Sequence, residues 1–305
     1  MKIFTTILWV GLLLLPWSAN RVAADSLSLP LSLTNAQWRP LEQRTDRGLQ
    51  TKLERTLAQN QLWKSLIVEK KMTVGVVDLA SPKMPRFAQV NGDTMLYAAS
   101  IPKLLILLAA CQGFENGTLK ETPQIHEDLT EMIRLSSNPA ANRMIDLIGL
   151  PKIESLVFLP RYRFYDLKQG GGLWLGGRYA SYGDRNTEPL KDIIHAATAN
   201  QVCRFYYLLA YGKLINPKRS RQMLTILSQP KLHDKFASVL EKTVPPDRLY
   251  RKSGTYNIWH SDSVLVWGGA GRRYILVSLV ESDQGEQILR DLVPGVEQML
   301  RPTRR

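Results

Sequence analysis

Leucines recur at Leu49, Leu53, Leu57 and Leu62 among charged residues, a spacing that predicts an amphipathic helix from about Asp46 to Leu66. Met72 to Asp78 is a short apolar run with β-branched residues and predicts a strand. Phe87 to Val90, closed by Asn91-Gly92, predicts a second strand entering a turn. Residues 100 to 240 carry mostly helical patterns broken by glycine and proline. Strand patterns return at Arg248 to Lys252, at Ser263 to Trp267 and, beyond the turn Gly268-Gly269-Ala270-Gly271, at Tyr274 to Val280. Gly285 to Leu300 is helical in pattern again. Five glycines between Lys168 and Gly177 predict a loop there, and no GK[ST] follows to make it a phosphate cradle.

Strands at both ends around a helical middle predict an α+β fold. One antiparallel sheet takes strands from both chain ends, with helices on its faces and a helical lobe beside it. The sheet lobe is expected over about 45–95 and 245–305 and the helical lobe over about 96–244, with a site in the cleft between them.

The first 24 residues have the order of a signal peptide: a basic start at Lys2, an apolar stretch from Ile3 to Pro16, and small residues at Val22-Ala23-Ala24. That apolar stretch is shorter than the ~20 residues needed to cross a bilayer. Cleavage is expected near Ala24, leaving a loop-like segment over 25–44 and a domain over 45–305, periplasmic or secreted, with no stable membrane span. Without Lys2 and Arg21 the net charge falls from +13 to +11. The basic residues are dispersed, which argues against nucleic acid and is compatible with an anionic cell wall.

At 44% hydrophobic and 22% charged, the 305 residues are those of a globular chain rather than a disordered or coiled-coil one. Two cysteines, Cys111 and Cys203, are too few for a disulfide framework and fall in apolar helical settings, where buried free thiols are expected. Four scattered histidines, His126, His195, His233 and His260, show no ligand pairing, which argues against a histidine–zinc hydrolase, and no metal or organic cofactor is implied.

The sharpest local anomaly is Ser100-Ile101-Pro102-Lys103 ahead of the apolar run from Leu104 to Ala110. The run demands a buried helix, and Pro102 suits its first turn. A lysine at that position opposes the positive end of the helix dipole and is poorly hydrated. Both effects favour a neutral amine, which within reach of a hydroxyl can take its proton. Downstream lie Ser136-Ser137-Asn138, continued by Pro139-Ala140-Ala141-Asn142, and Lys252-Ser253-Gly254-Thr255 on a predicted strand.

SxxK, SxN and KSG in that order resemble the penicillin-recognising serine hydrolases, and class A β-lactamases above all. The likeness extends over roughly residues 45 to 300 and implies the β-lactamase/transpeptidase-like fold. It also implies roles. Ser100 matches the acylated nucleophile, Lys103 its base or proton relay, and Ser136 the hydroxyl that passes a proton to the leaving nitrogen. Asn138 matches the side chain that binds the substrate amide. Lys252 and Ser253 match the groups that face the substrate carboxylate, and Gly254 the residue that lets substrate approach the strand. The N–H groups of Ser100 and Thr255 match the oxyanion hole.

Two departures stand out. Ser137 occupies a position where class A enzymes carry aspartate. No ExxLN motif is present, and in class A enzymes its glutamate activates the deacylating water. Glu188-Pro189-Leu190-Lys191-Asp192 comes nearest, which makes Glu188 the candidate deacylation base, with Asp166 and Asp184 as the other carboxylates of that stretch. The implied activity is hydrolysis of β-lactam amides through a serine acyl-enzyme. The alternatives are a D-Ala-D-Ala carboxypeptidase or other peptidoglycan peptidase on the same scaffold, and a non-catalytic protein that binds β-lactams or cell wall.

Overall fold

The computed structural model describes residues 28–34, 37–181, 183, 185–269 and 271–301. The expected signal peptide and Asp184 lie outside them.

In chain order the sheet lobe opens with α1 (Arg47–Leu57), α2 (Gln61–Val68), β1 (Met72–Asp78) and β2 (Arg86–Val90). A two-residue strand β3 (Leu96–Tyr97) leads into α3 (Lys103–Asn116), α4 (Pro123–Arg134), α5 (Asn138–Ile148) and α6 (Leu150–Ser155). Short strands β4 (Tyr165–Asp166), β5 (Gly171–Gly172), β6 (Trp174–Leu175) and β7 (His195–Ala197) precede α7 (Ala199–Ala210), α8 (Pro217–Leu227) and α9 (Lys235–Leu240). The chain closes with β8 (Leu249–Tyr256), β9 (Trp259–Trp267), β10 (Arg273–Glu281) and α10 (Gly285–Leu300).

The main sheet has five strands in the order β2-β1-β10-β9-β8. Its neighbours pair antiparallel, with Met72 opposite Val280 and Lys252 opposite Ser263. Strands from both ends of the chain therefore share one antiparallel sheet, as the pattern predicted, and they meet where β1 pairs with β10. Alternation sorts the strands' side chains onto two faces. Val74, Val76, Leu276 and Val280 pack with Leu49, Leu53, Leu289 and Leu292 of α1 and α10. Val77, Ile275, Val277 and Leu279 face the helical lobe, where α3 and α7 are almost wholly buried. Contact with α7 is close: a Cβ on Gly75 would lie 2.6 Å from the Cys203 sulfur. Both cysteines are buried free thiols.

Two local expectations need correction. The helix expected from Asp46 to Leu66 is two helices. The Asp46 carboxylate accepts from Leu49 N at 2.7 Å to cap the first, and the Asn60 amide oxygen accepts from Trp63 N at 3.2 Å to cap the second. The glycine-rich stretch expected as a loop contains β5 and β6. There the missing side chain permits backbone contact, since a Cβ on Gly172 would sit 1.8 Å from the Phe164 carbonyl oxygen. Among the described residues no helix is long and apolar enough to cross a membrane.

Candidate active site

Ser100 lies on the turn between β3 and α3, where Ala99 takes a left-handed φ of 49°. A non-glycine residue holds that conformation only when its surroundings impose it, and such strain gathers at functional sites. Lys103 opens α3 and is fully buried. Its ammonium donates to the Ser136 carbonyl at 2.6 Å and to Asn138 Oδ1 at 2.7 Å, with Ser136 Oγ at 3.5 Å. Burial pulls its pKa down to about 7.

Ser136 also has a left-handed φ, 57°, and stands just ahead of α5. The residue between it and Asn138, Ser137, caps that helix by accepting from Ala140 N at 3.2 Å. From the other lobe, Lys252 in the middle of β8 donates to Ser136 Oγ at 2.8 Å and to the Ser253 carbonyl at 2.5 Å. Burial holds Lys252 well below the ordinary lysine range, and the Lys103, Arg251 and Lys235 cations push it the same way.

Gly254 is where β8 meets the serine turn. A Cβ there would lie 2.5 Å from the Ala98 carbonyl oxygen and 2.7 Å from Ser100 N. Ser100, Asn138 and Thr255 line one cavity of about 470 Å³, together with Tyr97, Arg178, Tyr179, Arg185, His195 and Tyr256. The arrangement can serve acyl transfer: a hydroxyl, a lysine that is half neutral near pH 7, and two backbone segments in contact beside it.

A family model described as the β-lactamase enzyme family matches residues 118–293, more than half of the chain. The chain belongs to that family. Comparison with curated proteins returns no match. Solved structures resemble it in fold. The β-lactamase of Sphaerobacter thermophilus superposes with a TM-score of 0.61 at 17% identity, over 83% of this chain and 99% of that one. An ancestral class A β-lactamase gives 0.59 at 18% identity, over 80% and 98%. A mutant of PBP-A, solved as an acyl-enzyme complex with penicillin G, gives 0.59 at 19% identity, over 86% and 98%.

The family match begins beyond α3, so Ser100 and Lys103 stand outside it, and their place beside Ser136 and Gly254 is a matter of geometry alone. The expectation that Glu188 supplies a deacylation base does not fit where this β-lactamase-family chain puts it. Its carboxylate is buried and accepts from Tyr165 OH at 2.7 Å, Leu190 N at 2.8 Å, Lys191 N at 2.7 Å and Ile193 N at 3.3 Å. It ties its own loop together and does not line the cavity. Asp166 likewise pairs with Arg163 at 2.7 Å and Lys168 N at 2.9 Å, away from the cavity lining. Among the described residues, none lining the cavity is a carboxylate.

Sequence reasoning missed the support behind β8. Lys235, fully buried with φ 45°, donates to the Gly254 carbonyl and to Thr255 Oγ1, both at 2.6 Å. Arg251 pairs with Asp262 at 2.7 Å and Asp234 at 2.6 Å, and Asp262 accepts from Phe236 N at 3.0 Å. A signal existed: Lys235, like Lys103, is a lysine at the start of an apolar helix.

Proposed function

We propose that this chain opens β-lactam amides through an ester on Ser100, and forms that ester faster than it hydrolyses it. The observation that carries the reading is the meeting of Lys103 and Lys252 on Ser136, beside a cavity lined by Ser100, Asn138 and Thr255. In this reading neutral Lys103 takes the Ser100 proton and the Ser100 oxygen attacks the lactam carbonyl. The N–H groups of Ser100 and Thr255 receive the oxyanion. The amide C–N bond then breaks, and the Ser136 hydroxyl protonates the leaving nitrogen while receiving from Lys103, whose nitrogen lies 3.5 Å from its oxygen, the proton taken from Ser100. Lys252 holds Ser136 in place and, with Ser253, faces the substrate carboxylate. Asn138 binds the acylamino group. The PBP-A acyl-enzyme with penicillin G supports the fold's capacity to hold such an ester.

The cavity lining, free of carboxylates among the described residues, favours a second reading: a D-Ala-D-Ala carboxypeptidase on the same scaffold, for which β-lactams are slow-leaving acylating agents. Nitrocefin turnover combined with intact-mass spectrometry separates them. Continuous turnover with a transient adduct supports the lactamase, a stoichiometric long-lived adduct the peptidase, and neither signal refutes acyl transfer to β-lactams. The sequence order at residues 1–24 supports a site of action outside the cytoplasm, which N-terminal sequencing of exported protein tests.

A further inference from the structure

One stripe of α5 reaches three places in the site. Asn138, Asn142 and Asp146 are spaced i, i+4, i+8 and share a helix face. Asn138 accepts from Lys103 at 2.7 Å. Asn142 accepts from Tyr179 N at 2.8 Å and donates to the Tyr179 carbonyl at 3.3 Å, gripping that residue's backbone from both sides. Asp146 pairs with Arg178. The segment carrying Tyr179 is thus strapped to the helix that also positions Lys103. The Tyr179 ring lies with its centroid 4.4 Å from the Lys103 ammonium, and His195 stacks on it at 4.3 Å. Its hydroxyl donates to the Ala99 carbonyl at 3.4 Å, directly before Ser100.

We propose that Tyr179 is a positioning residue for Lys103: strapped down by α5, its ring fills the space beside the ammonium and keeps water from the lysine and from the ester that forms on Ser100. The proposal rests on the acyl-transfer reading given above. It names a residue that no motif marks.

A ring beside an ammonium has two opposed effects. The π face attracts the cation and favours protonation, while displacement of water disfavours it. Burial is what lowers Lys103, so displacement of water dominates here. The other titratable groups beside Lys103 are Lys252 of β8, which burial and the Lys103 charge hold well below the ordinary lysine range, and His195 of β7, which burial and Lys103 hold neutral with a pKa of about 4. Among the described residues no carboxylate pairs with Lys103 to restore its charge. The ring therefore leaves an amine ready to take the Ser100 proton near neutral pH. The same cover keeps the second half-reaction short of water.

The test uses the full chain with Tyr179→Phe, which keeps the ring, and Tyr179→Ser, which removes it. The rate of labelling by a fluorescent penicillin is followed against pH, and the lifetime of the adduct by intact mass. Tyr179→Phe should keep the wild-type midpoint and lifetime. Tyr179→Ser should move the midpoint up by about one unit or more as water reaches the ammonium, and shorten the adduct lifetime. If Tyr179→Ser does not fold, Asn142→Ala, which frees the ring without removing it, should move both quantities in the same directions. An unchanged midpoint and lifetime in a folded Tyr179→Ser or Asn142→Ala variant overturns the proposal. A wild-type chain that takes no label overturns the acyl-transfer reading instead. The effect of Tyr179 is then read directly from the Lys103 ammonium by heteronuclear NMR titration, where an unchanged midpoint again overturns it.

Discussion

Lys252 on β8 donates to the Ser136 hydroxyl at 2.8 Å, across the seam between the sheet and the helical lobe. Lys103 reaches the carbonyl of the same residue at 2.6 Å from the other side. Two buried ammonium groups converging on one serine are expensive if both are charged, so their protonation is coupled. That cost is the mark of a proton path rather than of a stabilising bridge.

Lys252→Met should separate the two. Labelling by a fluorescent penicillin should fall by about 10²-fold or more, since Ser136 loses the group that orients it. Stability should hold or rise, because a buried cation gives way to an apolar chain of similar length. The sign with pH follows from the depressed pKa. Below the ordinary lysine range the unfolded chain binds a proton that the folded chain resists, so the native lysine costs stability, and the cost grows as pH falls towards its folded pKa. Melting curves should show the gain of the methionine variant largest on the acid side and vanishing at strongly alkaline pH. A variant that loses stability equally at all pH values would contradict this.

Ser100→Ala should abolish labelling and change stability by no more than about 0.5 kcal/mol. The Ser100 hydroxyl makes no hydrogen bond among the described residues, and α3 is capped without a side-chain bond. Its place is therefore held by the turn rather than by the hydroxyl. Retained labelling at the wild-type rate would mean another nucleophile acts.

Much of this site was legible because certain residues are locally unfavourable. A lysine at the start of an apolar helix has no reason in propensity, which is why Lys103 stood out, and Lys235 at the start of α9 carries the same signal. The main sheet was legible from short apolar runs rich in β-branched residues at both ends, because its central strands are buried on both faces. The helix break between Leu57 and Gln61 was not, because Asn60, the cap that starts the second helix, looks like an ordinary polar residue of an exposed face. Tyr179 and Asn142 were not legible either. They meet across 37 residues of chain, and no spacing rule joins a loop tyrosine to a helix asparagine. Glu188 misled for a related reason: its partners are mostly main-chain N–H groups two to five residues on, which leave no trace in side-chain pattern.

Gly254→Ala should disable acylation without touching any side chain of the site. The new Cβ would stand 2.5 Å from the Ala98 carbonyl oxygen and 2.7 Å from Ser100 N, both backbone atoms. The contact can be relieved only by moving β8 away from the serine turn, which separates the proposed oxyanion donors Ser100 and Thr255. Loss of one such donor costs about 10²- to 10³-fold in rate. Labelling should fall by that order while the melting transition remains cooperative. Wild-type labelling by the alanine variant would show that the two segments need not touch.

At Glu188, sequence pattern and geometry point in different directions. A deacylating base must face the ester and have an acceptor free for water. Both Glu188 oxygens instead hold the loop, one receiving Tyr165 OH and Leu190 N, the other Lys191 N and Ile193 N. Glu188→Gln turns one of those acceptors into an NH₂ that confronts N–H or O–H donors. Leaving buried donors unmet costs about 1–3 kcal/mol. The melting temperature should therefore drop by several degrees, while the lifetime of the penicilloyl adduct, measured well below the transition, stays within a few-fold of wild type. The opposite pair of results, an unchanged melting temperature with an adduct living about 10²-fold longer, is what a general base would give, and it would return Glu188 to the chemistry of the site.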